Sequence, residues 1–142
     1  MRKGQVGLET MTVIAFLLLL TIPLGLLLFS GTGQGLEDVS IMQANQAVVK
    51  ITNTANDVYI QGQDSKASIF VLIPPKVNRI LINGNEITFR METSSGTVDI
   101  VGISVGNLTE EGSGQPITAI VDPNIYLINV SYQQGKVRLE RG

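Results

Sequence analysis

The side chains able to do chemistry in this 142-residue chain are carboxylates, hydroxyls and amides, because it contains no cysteine and no histidine. Disulfides, thiolate zinc sites, Cys or His nucleophile pairs and a Ser-His-Asp triad are excluded on that ground. The carboxylates Asp57, Asp64, Asp99, Glu110, Glu111 and Asp122 are scattered, and none has the spacing of an EF-hand loop. Two carboxyls suffice for glycoside hydrolysis, but nothing singles out a pair, and Glu110-Glu111 reads as a solvated turn among Gly and Ser. No catalytic constellation, metal site or cofactor site emerges, so an enzyme is not expected. Asn107-Leu108-Thr109 and Asn129-Val130-Ser131 satisfy the glycan acceptor sequon. Asn107, in a predicted loop, is the better acceptor of the two; Asn129 lies within a predicted strand.

One carboxylate stands apart. Glu9 sits in MRKGQVGLETMTVIAFLLLL, just ahead of a long apolar run. An acid near a helix start suits the positive end of the helix dipole and lies easily among lipid headgroups. Residues 13–29 carry no charge, and the apolar stretch extends back to Met11. That length is near the lower limit for spanning a bilayer as a helix. Eight leucines with Val13, Ile14, Phe16, Ile22 and Phe29 favour insertion by several kcal/mol in sum, at roughly 0.3–0.6 kcal/mol each. Thr21, Pro23 and Gly25 offset part of this. Pro is tolerated in membrane helices, where neighbours and water satisfy the freed carbonyl. Arg2 and Lys3 precede the block and Glu37 and Asp38 follow it, which places the N-terminus in the cytoplasm.

The block has three available fates. A cut after it would free a secreted domain, but the run is long for a signal peptide and Ser30-Gly31-Thr32-Gly33 is a weak cleavage site. Left uncut, it anchors a displayed head. A cut before it, between Gly4 and Gln5, leaves the apolar helix as a new N-terminus with Glu9 fifth. Basic residues, a Gly, a cut, a fifth-position Glu and an apolar helix together resemble the type IV pilin signal. More narrowly, KGQVGLE resembles the class III signal of archaeal pilins, with Gly7 where Ser is usual. The resemblance implies processing at Gly4 and Gln5 by a prepilin peptidase. It further implies filament-core packing through Val13, Phe16, Leu20, Pro23 and Leu27, and pairing of Glu9 with the N-terminal amine of a neighbouring subunit. The physics fits: a carboxylate among apolar helices is costly unless a cation meets it.

Downstream, GTGQG at 31–35 holds three glycines, each weakening a helix by about 1 kcal/mol relative to Ala. Helical periodicity then returns in LEDVSIMQANQAVVKITNTANDVYIQGQ, with Leu36, Val39, Met42, Ala47, Ile51, Ala55 and Val58 near one face, widened by Val48 and Tyr59. Gly62 is the expected terminator. From Ser65 the pattern turns to β, with strands expected at 66–73, 77–83, 86–93, 97–105, 117–121, 125–132 and 136–140. Asn83-Gly84 signals a hairpin through a type I′ turn, and Pro74-Pro75 reads as a stiff connector. SIFVLI alternates poorly and reads as buried on both faces. ITNTANDVYIQG followed by SKASIFVLIPP also resembles the helix-to-head junction of archaeal pilins.

The expected fold class is α+β: a long N-terminal helix, hydrophobic in its first half and amphipathic in its second, then a small antiparallel β-sandwich or curled-sheet head. The segments are a leader at 1–4, a transmembrane or filament-core helix at 5–30, a Gly-rich joint with amphipathic helix at 31–62, and the head at 63–142. Of 10 basic and 12 acidic side chains, only Arg2, Lys3 and Glu9 precede Glu37, and no basic patch points to nucleic acid. The expected role is a structural subunit of a cell-surface type IV pilus-like filament. It would be inserted in the membrane before assembly, and its partners would be other copies, a prepilin peptidase and the pilus assembly machinery. The alternative is a membrane-anchored extracellular binding module, such as a stator-like component of a motility filament.

Overall fold

The computed structural model describes the backbone of residues 3–110 and 114–142, and side-chain surroundings at 7–28, 35–110 and 114–142. Glu111 and Gly112 therefore lie outside the described residues. The fold is α+β. Helix α1 spans Lys3–Gln61 with Pro23 inside it, and its backbone stays helical through the glycines at 31–35. By internal packing the chain forms two units, Met1–Glu37 and Asp38–Gly142, a division inside the expected 31–62 segment.

In the second unit α1 presents a buried stripe of Ser40, Ala44, Ala47, Val48, Ile51, Thr52, Ala55 and Val58. These recur at three- and four-residue steps, one face of a 3.6-residue period. The first turns of the expected stripe are out of phase. Leu36, Val39 and Met42 are exposed, and the inward positions there are Ser40 and Ala44. Small side chains at 40, 44, 47 and 55 bring the helix backbone close to the strands, so size outweighed hydropathy in choosing the face. The helix ends as expected at Gly62, which takes φ +85° and donates to Val58 O at 3.3 Å. Ser65 Oγ lies 2.6 Å from both the Val58 and Gly62 carbonyl oxygens, so its single proton is shared between acceptors at the helix end.

Eight strands follow: β1 Lys66–Ile73, β2 Val77–Asn83, β3 Glu86–Thr93, β4 Gly96–Ile103, β5 Asn107–Thr109, β6 Gln115–Pro116, β7 Asn124–Gln133 and β8 Lys136–Arg141. One sheet has the order β1-β7-β8-β5, with β6 also on β8; the other is β2-β3-β4. All pairings are antiparallel except β5 with β8. Inward side chains of both sheets and the α1 stripe form one core, including Ile51, Val71, Ile73, Ile80, Phe89, Met91, Ile128 and Leu139.

Further expectations need correction in the head. Residues 117–121 are not a strand: Ile117–Ala119 is a short 3-10 turn. The Glu110 carboxylate accepts from both the Thr118 N–H and its hydroxyl, each at 2.7 Å, taking the donor a ladder would need. Asn107 is not in a loop but in β5, whose single apolar residue Leu108 is too little signal for a three-residue strand. The hairpin between β2 and β3 exists, but its two-residue loop is Gly84-Asn85. Asn83 pairs with Glu86, and only Gly84 takes positive φ, at +62°, the signature of a type II′ turn. A type I′ pattern occurs instead between β7 and β8, where Gln134 and Gly135 both have positive φ.

SIFVLI is likewise not buried on both faces. Ile69, Val71 and Ile73 point inward while Phe70 and Leu72 are 66% and 42% exposed. On the second sheet, Arg90 grips Asp99 across β3 and β4 with two hydrogen bonds of 2.8 and 2.7 Å. That guanidinium holds the Asp99 carboxyl below the usual carboxylate range. The pair's contribution is therefore present at neutral pH and is lost only as pH falls through that lowered value. Both groups are solvent-accessible, so the effect on stability is small.

Gly102 marks a close approach of helix and sheet: a Cβ there would run into Thr52 Oγ1 and Val48 Cγ1. Gly102→Val should destabilise the head by about 1–3 kcal/mol through overpacking. Phe89→Ala, at a fully buried site, should destabilise it by about 3–5 kcal/mol. Urea titration of the full chain in detergent, followed by loss of β signal, checks both, and an unchanged midpoint for Gly102→Val would contradict the packing described.

Candidate membrane-spanning and assembly segment

Gly7–Leu28 is a 22-residue stretch of α1 long and apolar enough to cross a membrane, and none of it is buried inside the protein. At about 1.5 Å per residue it is about 33 Å long, matching a hydrocarbon core of about 30 Å. Leu dominates, and the apolar surface runs around the whole circumference: Phe16, Leu17, Leu18, Leu19 and Leu20 are all more than half exposed. Of the three threonines in the span, Thr12 and Thr21 satisfy their hydroxyls within the helix, Thr12 Oγ1 donating to Leu8 O at 2.8 Å and Thr21 Oγ1 to Leu17 O at 2.6 Å. Neither brings an unpaired donor into an apolar setting. Pro23 lacks an N–H, so the Leu19 carbonyl one turn earlier loses its helical partner.

Val13, Phe16, Leu20, Pro23 and Leu27 share one stripe at alternating three- and four-residue steps, the spacing of a helix-packing seam. Glu9 lies on the same stripe, one turn before Val13. It is exposed, and among the described residues it forms no ion pair. Gly4 and Gln5 lie in helical backbone, but their side-chain surroundings are outside the described residues, as are Met1 and Arg2 altogether.

The remaining candidates do not converge. Asp57 and Asp64 are exposed and apart, Asp99 is held by Arg90, and Glu110 clamps Thr118. Among the described residues no group of three His, Cys, Asp or Glu side chains could hold a metal. Asn107 is exposed on β5. Asn129 is half-buried on β7, and its Oδ1 accepts from Ser68 Oγ at 2.7 Å.

Sequence reasoning missed two exposed apolar stripes on the head. One comprises Phe70 and Leu72 of β1 with Ile125 of β7; the other is Val101, Ile103 and Val105 along β4 and beyond its end. The signal for the first was SIFVLI itself. A strand apolar in both phases must show one of them outward when only one face meets the core.

The insertion estimate can be tested by charge. A mid-span Arg opposes insertion by about 2.5–3.5 kcal/mol, so Leu20→Arg should weaken but not abolish membrane retention. Phe16→Arg with Leu20→Arg should cancel it. Carbonate extraction of membranes reads both, and a double variant retained like the parent would contradict a single spanning helix. No protein-family model matches the chain, and neither a curated protein nor a solved structure matches it.

Proposed function

We propose that the chain is a structural subunit of an extracellular filament of the type IV pilus kind, held in the membrane as a precursor and assembled through α1 after cleavage between Gly4 and Gln5. The observation that carries this reading is the Gly7–Leu28 helix, apolar on every side and covered by nothing in its own chain. Lipid covers such a helix before assembly, and equivalent helices cover it afterwards. Lipid and leucine are equally apolar, so the exchange is driven by close packing rather than by the hydrophobic effect. Val13, Phe16, Leu20, Pro23 and Leu27 supply the packing seam.

Glu9 gives the assembly its register. In the membrane it lies at the headgroup edge; inside a helix bundle it needs a cation, and cleavage creates one in the new amine at Gln5. A neighbour's amine meeting the carboxylate sets the axial offset between subunits, because any other offset leaves a buried charge unpaired. The β head is then carried to the fibre surface, where its outer faces determine what the filament touches. The same span serves equally as a permanent anchor for an extracellular binding head, such as a stator-like part of a motility filament. That reading keeps Met1 and gives Glu9 no partner.

Intact-mass measurement and N-terminal sequencing of the chain from its native membranes and fibres separate the two. Gln5 as first residue is expected for the subunit, and Met1 on all material would overturn it. Glu9→Ala should leave insertion and cleavage intact. Leaving a buried amine unmatched costs about 3–5 kcal/mol, so fibre yield by electron microscopy should fall at least about tenfold; an unchanged yield would remove Glu9 from assembly.

A further inference from the structure

We infer that the heads of adjacent copies bind one another head-to-tail, the β1 stripe Phe70–Leu72–Ile125 of one copy receiving the β4 stripe Val101–Ile103–Val105 of the next; this rests on the filament reading. Both stripes lie at free sheet edges. β1 ends the larger sheet and β4 ends the smaller. Tyr132 N–H donates to Ser65 O at 3.0 Å, which sets the phase of the β1–β7 ladder. The odd-numbered residues of β1 bond β7, and the N–H and C=O of Lys66, Ser68, Phe70 and Leu72 face outward. Lys50 Nζ donates to the Phe70 carbonyl at 2.8 Å, covering one acceptor of that edge.

Toward the C-terminal end of this edge the side chains are apolar, Phe70 and Leu72 following the polar Lys66 and Ser68. Leu72 pairs across the ladder with Ile125, and Phe70 with Leu127. Between Phe70, Leu72 and the Gln46–Lys50 flank of α1 runs a groove of about 250 Å³, enough to admit an aliphatic side chain. On β4 the offered side chains are aliphatic and stand at alternate positions, with Ile103 66% exposed. Charge favours the pairing at one end: Lys50 and Lys66 border the first stripe, and Glu86, directly across from Ile103, borders the second, while Asp99 is already neutralised by Arg90.

Size identifies the occupant. Three or four half-exposed side chains offer on the order of 300 Å², well short of the roughly 800 Å² per partner of a stable complex between free proteins. Such a patch holds only a partner already fixed beside it at millimolar effective concentration, which a copy sharing the same helix bundle is. Because the stripes differ, the contact is heterologous and does not close on itself, as a helical array requires.

The absence of native cysteine allows a direct test in the full-length chain expressed in its own host. Leu72→Cys and Ile103→Cys are made singly and together, and surface fibres are treated with mild oxidant and, in parallel, with a short bis-maleimide that relaxes disulfide geometry. The double variant should give a covalent ladder of dimers, trimers and higher species, with each single variant remaining monomeric. Fibres from the double variant that yield no ladder overturn this contact and leave the filament reading standing. Dimers from Leu72→Cys alone indicate a two-fold contact and also overturn it. A ladder in membranes that never form fibres keeps the contact and removes the filament; wild-type cells without fibres, together with no ladder, remove both.

Discussion

Both sheets of the head close on one narrow stripe of α1, and that packing sets the rest of the molecule. Ala44, Ala47 and Ala55 are buried where a larger residue would hold the helix away, and Gly102 meets the helix at Val48 and Thr52. Gly106 does the same against the Tyr59 ring, which stands edge-on to Tyr132 with centroids 5.5 Å apart. Small side chains on both partners convert a helix-on-sheet contact into a close-packed core. Asn56 then fixes the end of β4, its Oδ1 accepting from Ser104 Oγ and from the Val105 N–H. These bonds tie the Asn56 turn of α1 to the end of β4 and the turn after it.

The same helix meets a different demand in its first half. Around Asp38–Gly142 one face is enough, because water covers the other. Over Gly7–Leu28 no face is covered by protein, and an apolar surface of that extent is far beyond what a soluble monomer leaves bare. By length and composition this segment suits an apolar environment such as lipid or other helices. Thr12 and Thr21 turn their hydroxyls onto the helix backbone, which suits either surrounding.

The head manages its exposed edges unevenly. A lysine caps one carbonyl of β1, and the Arg90–Asp99 pair bridges β3 and β4, with Asp99 two residues from the bare Val101. Charges at an edge discourage indiscriminate strand pairing while leaving the aliphatic residues between them available. In the proposed filament this favours weak, specific contacts between heads that are already neighbours.

Much of the architecture was legible because it depends on local rules. The apolar run, the αL glycine at 62 and the strands β1 to β3 follow from composition and period alone; the strand limits matched, while the apolar span runs from Gly7 to Leu28 rather than from Met11 to Phe29. Phase was not legible. Leu36, Val39 and Met42 are more apolar than Ser40 and Ala44, yet the smaller residues face the core, because the strands approach too closely for larger ones. Residues 117–121 read as a strand, but the carboxylate of Glu110, eight residues earlier, takes the Thr118 amide. β5 is too short to announce itself and exists because β8 offers it a ladder. Phe70 and Leu72 look like core until the sheet order leaves β1 at an edge. The sequence by itself determined which segments are apolar, where the helix stops and how each hairpin strand alternates, since these are properties of neighbours in the chain. Which face turns inward, which strand is left at the edge and which apolar side chains stay bare were decided only in the tertiary structure, since they depend on how closely elements far apart in the chain can approach.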